Sequence, residues 1–213
     1  MEFSLSYPLS SVFIRGQIAF CQPVEQWLRR FPSRVTLIPR MQKKKICMLG
    51  SYGVGKTSLV ARFVRSMFAD TYQTTVGVKI DKKVLDVEGE EVTLMLWDMA
   101  GEEDNAPVKL NQVKDASGYL LVVDGTRSRT LDVARSIQQR VEAELGAKPF
   151  LVLVNKVDIR ETWEIPDSVW QELGAAGWAV VETSAKSGKH VEEAFLSLTR
   201  RMLQAQVEKS EDD

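Results

Sequence analysis

Residues 50–57 read Gly50-Ser51-Tyr52-Gly53-Val54-Gly55-Lys56-Thr57, with glycines at the first and sixth places and lysine and threonine closing the run. An apolar stretch, Ile46-Cys47-Met48-Leu49, precedes it, and a helical pattern over 58–67 follows. Strand, glycine loop and helix in that order make a cradle for polyphosphate. Glycines let the backbone curl until successive N–H groups converge on an anion, and the positive end of the following helix dipole adds to that field. The expected phosphate contacts are Gly50, Ser51, Gly53, Val54, Gly55, Lys56, Thr57 and Ser58. Lys56 would reach the β- and γ-phosphates, and the Thr57 hydroxyl would ligate Mg²⁺. A glycine-rich turn without a ligand is the alternative; glycine's ordinary frequency makes a chance match roughly a one-in-a-hundred event in a chain this long.

The identity of the base is written further on. Asn155-Lys156-Val157-Asp158 ends a second apolar run over 149–154. An aspartate carboxylate accepts two hydrogen bonds from guanine N1–H and N2–H₂, a donor pair that adenine lacks. A buried Asp158 would then be left unpaired by adenine, and sites built for a polar partner reject analogues without it strongly. Ser184-Ala185-Lys186 follows a short strand pattern over 178–182. Its backbone N–H groups suit guanine O6, while the stems of Lys156 and Lys186 would cover the ring faces.

Carried by these segments, by Thr75-Val76-Gly77 and by Asp98-Met99-Ala100-Gly101, the chain resembles the Ras-like small GTPases, with the Rab branch nearest, over about residues 44–207. Asn155, Lys156, Asp158, Ser184, Ala185 and Lys186 take the base-binding places. The resemblance also implies that Thr75 ligates Mg²⁺ through its hydroxyl and meets the γ-phosphate through its N–H. It implies that Asp98 holds the metal through a water and that the Gly101 N–H touches the γ-phosphate. Thr57, Thr75 and Asp98 are thus the expected metal set; Lys56, Thr75, Gly101 and Glu102 are the expected catalytic set. Losing the γ-phosphate would loosen the loops over 68–75 and 102–110, so that partners distinguish GTP from GDP.

Alternating strand and helix signals from residue 44 predict an α/β P-loop NTPase fold. We expect a six-stranded, mostly parallel sheet with helices on both faces. Strands over 76–87 and 91–98, joined by Glu88-Gly89-Glu90, form a hairpin and make one strand antiparallel. Further strands are expected over 119–124, 150–155 and 178–182, with helices over 131–145, 167–173 and 191–206. Every nucleotide motif then lies beyond a strand's C-terminal end.

Composition agrees with one globular unit: 213 residues, 44% apolar and 27% charged, which is ordinary usage. A net charge of −1 argues against a nucleic-acid binder. Neither Cys21 nor Cys47 sits in a metal-type cluster, and Cys47 is expected in the core. His190 is expected as a capping or solvent-facing residue. Residues 1–42 form an N-terminal extension with four prolines and no sustained period, expected to be poorly ordered or to precede a native start at Met41. The domain proper is expected over 43–207, and an acidic tail over 208–213 is expected to fray. Lys43-Lys44-Lys45 reads as a solvated strand end or a small basic patch.

Two departures from the family stand out. Where relatives usually carry glutamine after Gly101, this chain has Glu102, followed by Glu103 and Asp104. A carboxylate there sets negative charge beside the γ-phosphate; at an effective dielectric near 20, unit charges 4 Å apart repel by about 4 kcal/mol. Slow intrinsic hydrolysis, completed by an activating partner, is the reading this favours. Second, the chain ends Lys209-Ser210-Glu211-Asp212-Asp213 without the cysteines of prenylated relatives. A cytoplasmic monomer without a direct lipid anchor, reaching membranes only through partners, is expected. Effectors, exchange factors and activating factors are the implied partners, and GTP/GDP and Mg²⁺ the implied ligands. The alternative is a scaffold that holds GTP but barely hydrolyses it; an ATPase is disfavoured by Asn155 to Asp158. Met95 and Trp97 are expected on an exposed effector face, although strand alternation accounts for them equally well.

Overall fold

In the computed structural model, the described residues are 42–68, 75, 77–101 and 108–211. Six strands form one sheet: β1 (Gln42–Leu49), β2 (Val78–Val87), β3 (Glu90–Met99), β4 (Gly118–Asp124), β5 (Phe150–Asn155) and β6 (Val180–Glu182). Four α-helices accompany them: α1 (Lys56–Arg65), α2 (Arg129–Leu145), α3 (Ser168–Ala175) and α4 (Val191–Glu211). The strand order is β2-β3-β1-β4-β5-β6. β1 runs parallel to both β3 and β4, and β5 runs parallel to β4 and β6. Only β2 is antiparallel, paired with β3 from Val78 opposite Met99 to Val87 opposite Glu90. The two-residue turn at Glu88 and Gly89, both at positive φ, makes that reversal.

Period-two alternation divides the core between the two faces of the sheet. Ile46, Met48, Leu94, Leu96, Leu120, Val122, Leu151 and Leu153 pack with Leu59 and Phe63 of α1 and with Phe195 and Leu198 of α4. Phe63 and Phe195 stack with ring centroids 4.0 Å apart. On the other face, Cys47, Leu49, Leu121, Val123, Val152 and Val154 pack with Leu131, Ile137 and Val141 of α2 and Leu173 of α3. Cys47 is fully buried, as expected.

Four expectations need correction. The three lysines at 43–45 are not a solvated end. Only Lys43 is exposed, while Lys44 is buried and donates to Gln206 Oε1. Lys45 lies 3.8 Å over the Trp97 ring and donates to the Gln112 carbonyl at 2.7 Å. β1 therefore starts at Gln42, because residues 42–45 ladder with Val92 to Met95 of β3. Trp97 and Met95 are half-buried, and Trp97 packs against the α2-side core, so neither forms an exposed face. The exposed apolar residues of the hairpin are Ile80 and Val84 on the edge strand. The last helix runs five residues beyond 206, to Glu211, where fraying was expected. His190 precedes it at φ 52°, its carbonyl accepting from Ala194 N–H, which is the capping role expected.

Candidate functional site

The sheet presents the C-terminal ends of β1, β3, β4, β5 and β6 to one edge, and the candidate residues lie at those ends or just beyond them, except Thr75, which lies on the segment before β2. After β1 the backbone winds through Gly50, Gly53 and Gly55 at φ 139°, 72° and 98°. A Cβ at Gly50 would strike the Val122 carbonyl, and one at Gly55 would strike the Asn155 amide. Only glycine fits either place. The N-cap Gly55 supplies no side chain, so no side-chain cap takes up the first-turn N–H groups of α1. Lys56, 5% exposed, folds back to donate from Nζ to the Gly50 carbonyl at 3.0 Å and the Ser51 carbonyl at 2.9 Å. Burial pushes its pKa down to about 8, Asp98 pulls it up, and Arg127 adds to the fall.

Beside this loop stand three oxygens from separate segments. Thr57 Oγ1 and Thr75 Oγ1 are 2.6 Å apart, and Thr75 Oγ1 donates to Asp98 Oδ2 at 3.3 Å. Asp98 is 1% exposed and its Oδ1 is buried without a hydrogen-bond partner. Burial holds its carboxyl above the usual range, against the donation of Thr57 and the charge of Lys56. A buried carboxylate oxygen with no donor, next to two hydroxyls, fits a hard cation with oxygen ligands. No group of three His, Cys, Asp or Glu side chains able to hold a metal occurs among the described residues. One carboxylate with hydroxyls suits Mg²⁺ shared with phosphate better than an all-protein cage. Gly101 lies against the phosphate loop: a Cβ there would meet the Tyr52 backbone and the Ser51 carbonyl. Glu102 lies outside the described residues, as do 69–74 and 76 of the segment before β2.

The base-side motifs come together from β5 and β6. Asn155 is a strut: its Nδ2 donates to the Val54 carbonyl at 2.9 Å, and its Oδ1 accepts from Ala185 N–H at 3.1 Å. Asp158 Oδ1 accepts from Ser184 Oγ at 2.5 Å. Asp158 is exposed, however, so the expected burial of its carboxylate does not hold for the chain by itself. Of the three N–H groups expected at guanine O6, Ser184's is given to the Lys189 carbonyl and Ala185's to Asn155. Lys156 sits at φ 75°, and its Nζ donates to Asp124 Oδ2 at 2.6 Å.

The Ras family profile matches residues 45–204, most of the chain. The chain belongs to the Ras family. Ras-related protein Ral-B of Rattus norvegicus is 34% identical over 79% of this chain and 83% of its own length. Ras-related protein Rab-13 of Canis lupus familiaris is 33% identical over 75% and 79%. GTP-binding protein yptV2 of Volvox carteri is 33% identical over 75% of each. Ral and Rab relatives thus match this small GTPase about equally. No helix among the described residues is long and apolar enough to cross a membrane.

Four residues of this Ras-family site are marked by none of the sequence motifs. Asp124, ending β4 and fully buried, gathers donors from Thr126, Arg127 and Lys156. Burial pushes its carboxyl up, but donation by Lys156 and Thr126 wins and leaves it below the usual range. Arg127 also donates to the Tyr52 carbonyl at 2.9 Å. Trp163 Nε1 donates to the Lys156 carbonyl at 3.1 Å, and its ring fills the space a Cβ at Gly125 would need. Arg62 of α1 donates to the carbonyls of Ala185 and Lys186. A charged residue closing the apolar run 118–123 is the available signal for Asp124; the others contact backbone carbonyls.

Proposed function

We propose that this protein is a guanine-nucleotide switch: it binds GTP and GDP with Mg²⁺, hydrolyses GTP slowly, and offers effectors a surface that depends on the γ-phosphate. One observation carries the reading. A single residue, Asn155, ties the phosphate loop at Val54 to the base loop at Ala185, so that the Lys56 cradle and Asp158 are held as two ends of one site. In this reading the loop N–H groups and Lys56 bind the phosphates, and Asp158 accepts from guanine N1–H and N2–H₂. Guanine O6 falls to the 184–186 loop, with Lys186 N–H the group not already given to Lys189 or Asn155. Thr57, Thr75 and Asp98 would hold Mg²⁺, which when bound neutralises phosphate charge.

Hydrolysis is argued from charge. Glu102 stands where relatives orient water with a neutral amide, and its carboxylate opposes the charge of the γ-phosphate. A partner then completes the site; an arginine supplied in trans is worth about 10³–10⁵ in rate. Effectors, exchange factors and activating factors would read the segments around Thr75 and Gly101. Glu102 also sustains the second reading, a GTP-holding scaffold.

Calorimetry on nucleotide-stripped protein with magnesium tests the binding: GDP and GTP should bind, ADP and ATP should not. Absence of heat with both guanine nucleotides would end the proposal. Phosphate release over hours, with Lys56→Ala as control, separates switch from scaffold. Single-turnover hydrolysis by Glu102→Gln should be faster than by wild type; a slower variant contradicts the charge argument.

A further inference from the structure

Arg127 leaves the turn after β4 and makes two contacts with one guanidinium. Its Nε donates to Asp124 Oδ2 at 2.9 Å, and its Nη2 donates to the Tyr52 carbonyl at 2.9 Å. Asp124 is fully buried, and the same Oδ2 accepts from Lys156 Nζ at 2.6 Å. The other oxygen accepts from Thr126 N–H at 3.0 Å and Thr126 Oγ1 at 2.7 Å. A carboxylate so fully engaged is a fixed anchor, and a planar guanidinium pinned to it has little freedom left. What that guanidinium then holds is a main-chain carbonyl in the middle of the phosphate loop.

The consequence follows from peptide geometry. In a trans peptide the carbonyl of one residue and the N–H of the next point in opposite directions. Neighbouring carbonyls of the loop, those of Gly50 and Ser51, are taken by Lys56. The Tyr52 carbonyl is instead drawn to Arg127, so the Gly53 N–H is aimed away from Arg127. Gly53 is at φ 72°, a left-handed conformation that glycine takes as readily as the right-handed one, so no side chain imposes a peptide orientation. We propose that Arg127 is a positioning residue for nucleotide binding: by holding the Tyr52 carbonyl against the Asp124 anchor it fixes the peptide plane that presents the Gly53 N–H to the β-phosphate. Because Asp124 also holds Lys156, the brace is shared with the loop that reads the base.

The inference rests on guanine-nucleotide binding as proposed above, and the test separates the two. Affinities for GDP and for GMP, which lacks the β-phosphate, are measured by competition for wild type, Arg127→Ala and Arg127→Lys. Arg127→Ala should lose tenfold or more in GDP affinity and less than twofold in GMP affinity. A lysine keeps the charge but cannot span both acceptors, so Arg127→Lys should recover only a minor part of the loss. Equal losses for GDP and GMP would mark a merely structural residue and overturn the inference. So would unchanged GDP affinity in Arg127→Ala, or full recovery by lysine, which would mean that charge alone suffices. Wild-type protein that binds neither nucleotide would overturn the functional proposal itself, and this inference with it.

Discussion

Asp98 and Asp124 close β3 and β4 on either side of β1, both buried, and the chain treats them in opposite ways. Asp124 is saturated: four donated hydrogen bonds, two of them from cations, hold its carboxyl below the ordinary range. Asp98 is met only by the hydroxyls of Thr57 and Thr75, has no partner on Oδ1, and burial holds its carboxyl above that range. An anion that the protein satisfies by itself is structural; one that it buries and leaves wanting is built for something from outside. The same division runs through the whole site. The base-side loops are joined to each other and to the phosphate loop by Asn155, Arg62, Arg127 and Trp163, whereas the Asp98 side is three oxygens facing one another. The loops at Asn155 and Ser184 are therefore fixed by the protein's own contacts, whereas the Asp98 end, with Oδ1 unpartnered, is not.

Neutralising each aspartate puts that contrast at risk. Asp124→Asn removes the charge that Lys156 and Arg127 share and replaces one of two acceptor oxygens, which together take four donors, with a donor. Breaking a buried pair costs about 3–5 kcal/mol. Both cations are partly exposed, at 35% and 43%, and regain hydration, so we expect about 2–3 kcal/mol. For a domain this size that lowers the melting temperature by about 5–10 °C. A shift below 2 °C would mean that the cluster is not the anchor it resembles. Next in size is Asn155→Ala, which strands the Val54 carbonyl and the Ala185 N–H. Each unsatisfied buried group costs about 1–3 kcal/mol, partly relieved by water. Melting should fall by about 3–6 °C, and GDP affinity by about tenfold if the two loops must be held in register. Retained affinity would show that the ends act independently.

Much of this site is legible in the amino-acid sequence. The glycine pattern at 50–57 and Asp158 after a strand are visible there because special backbone angles and strand-end charges leave marks in residue type. The sheet is legible from its apolar runs: the run over 149–154 and its length place the strand at 150–155 without error. Arg127, Trp163 and Arg62 are not, because their partners are the carbonyls of Tyr52, Lys156 and Ala185, and a carbonyl has no residue type. Lys44 and Lys45 mislead for a different reason. A charge run reads as solvated, but Lys44 is buried and the ammonium groups find Gln206 and the Trp97 ring. Asp158 misleads because a carboxylate read as buried is exposed in the chain by itself.

Asp98→Asn should move stability the other way. Removing an undercompensated buried charge stabilises the ligand-free protein by about 1 kcal/mol, raising its melting temperature by about 2–4 °C. Nucleotide with magnesium should protect this variant less than wild type, since the carboxylate that would hold the cation is gone. Opposite signs for the two asparagine variants are the heart of the comparison; a destabilised Asp98→Asn without ligand would mean that the protein already satisfies this carboxylate.

The smallest effect is in acid, and its sign separates the two carboxylates again. Asp124 has a folded-state pKa below its unfolded value, so it contributes stability above the unfolded pKa, near 3.9, and loses it as pH falls toward the folded one. Asparagine has no such term. The stability difference between wild type and Asp124→Asn should be flat from pH 7 to 5, and then shrink by at most about 0.3 kcal/mol between pH 5 and 4. Urea unfolding at each pH, read as paired differences so that other carboxylates cancel, resolves the trend. A difference that grows on acidification would place the Asp124 pKa above its unfolded value, and Lys156 and Arg127 would then be neighbours of that carboxylate without being its counter-charges.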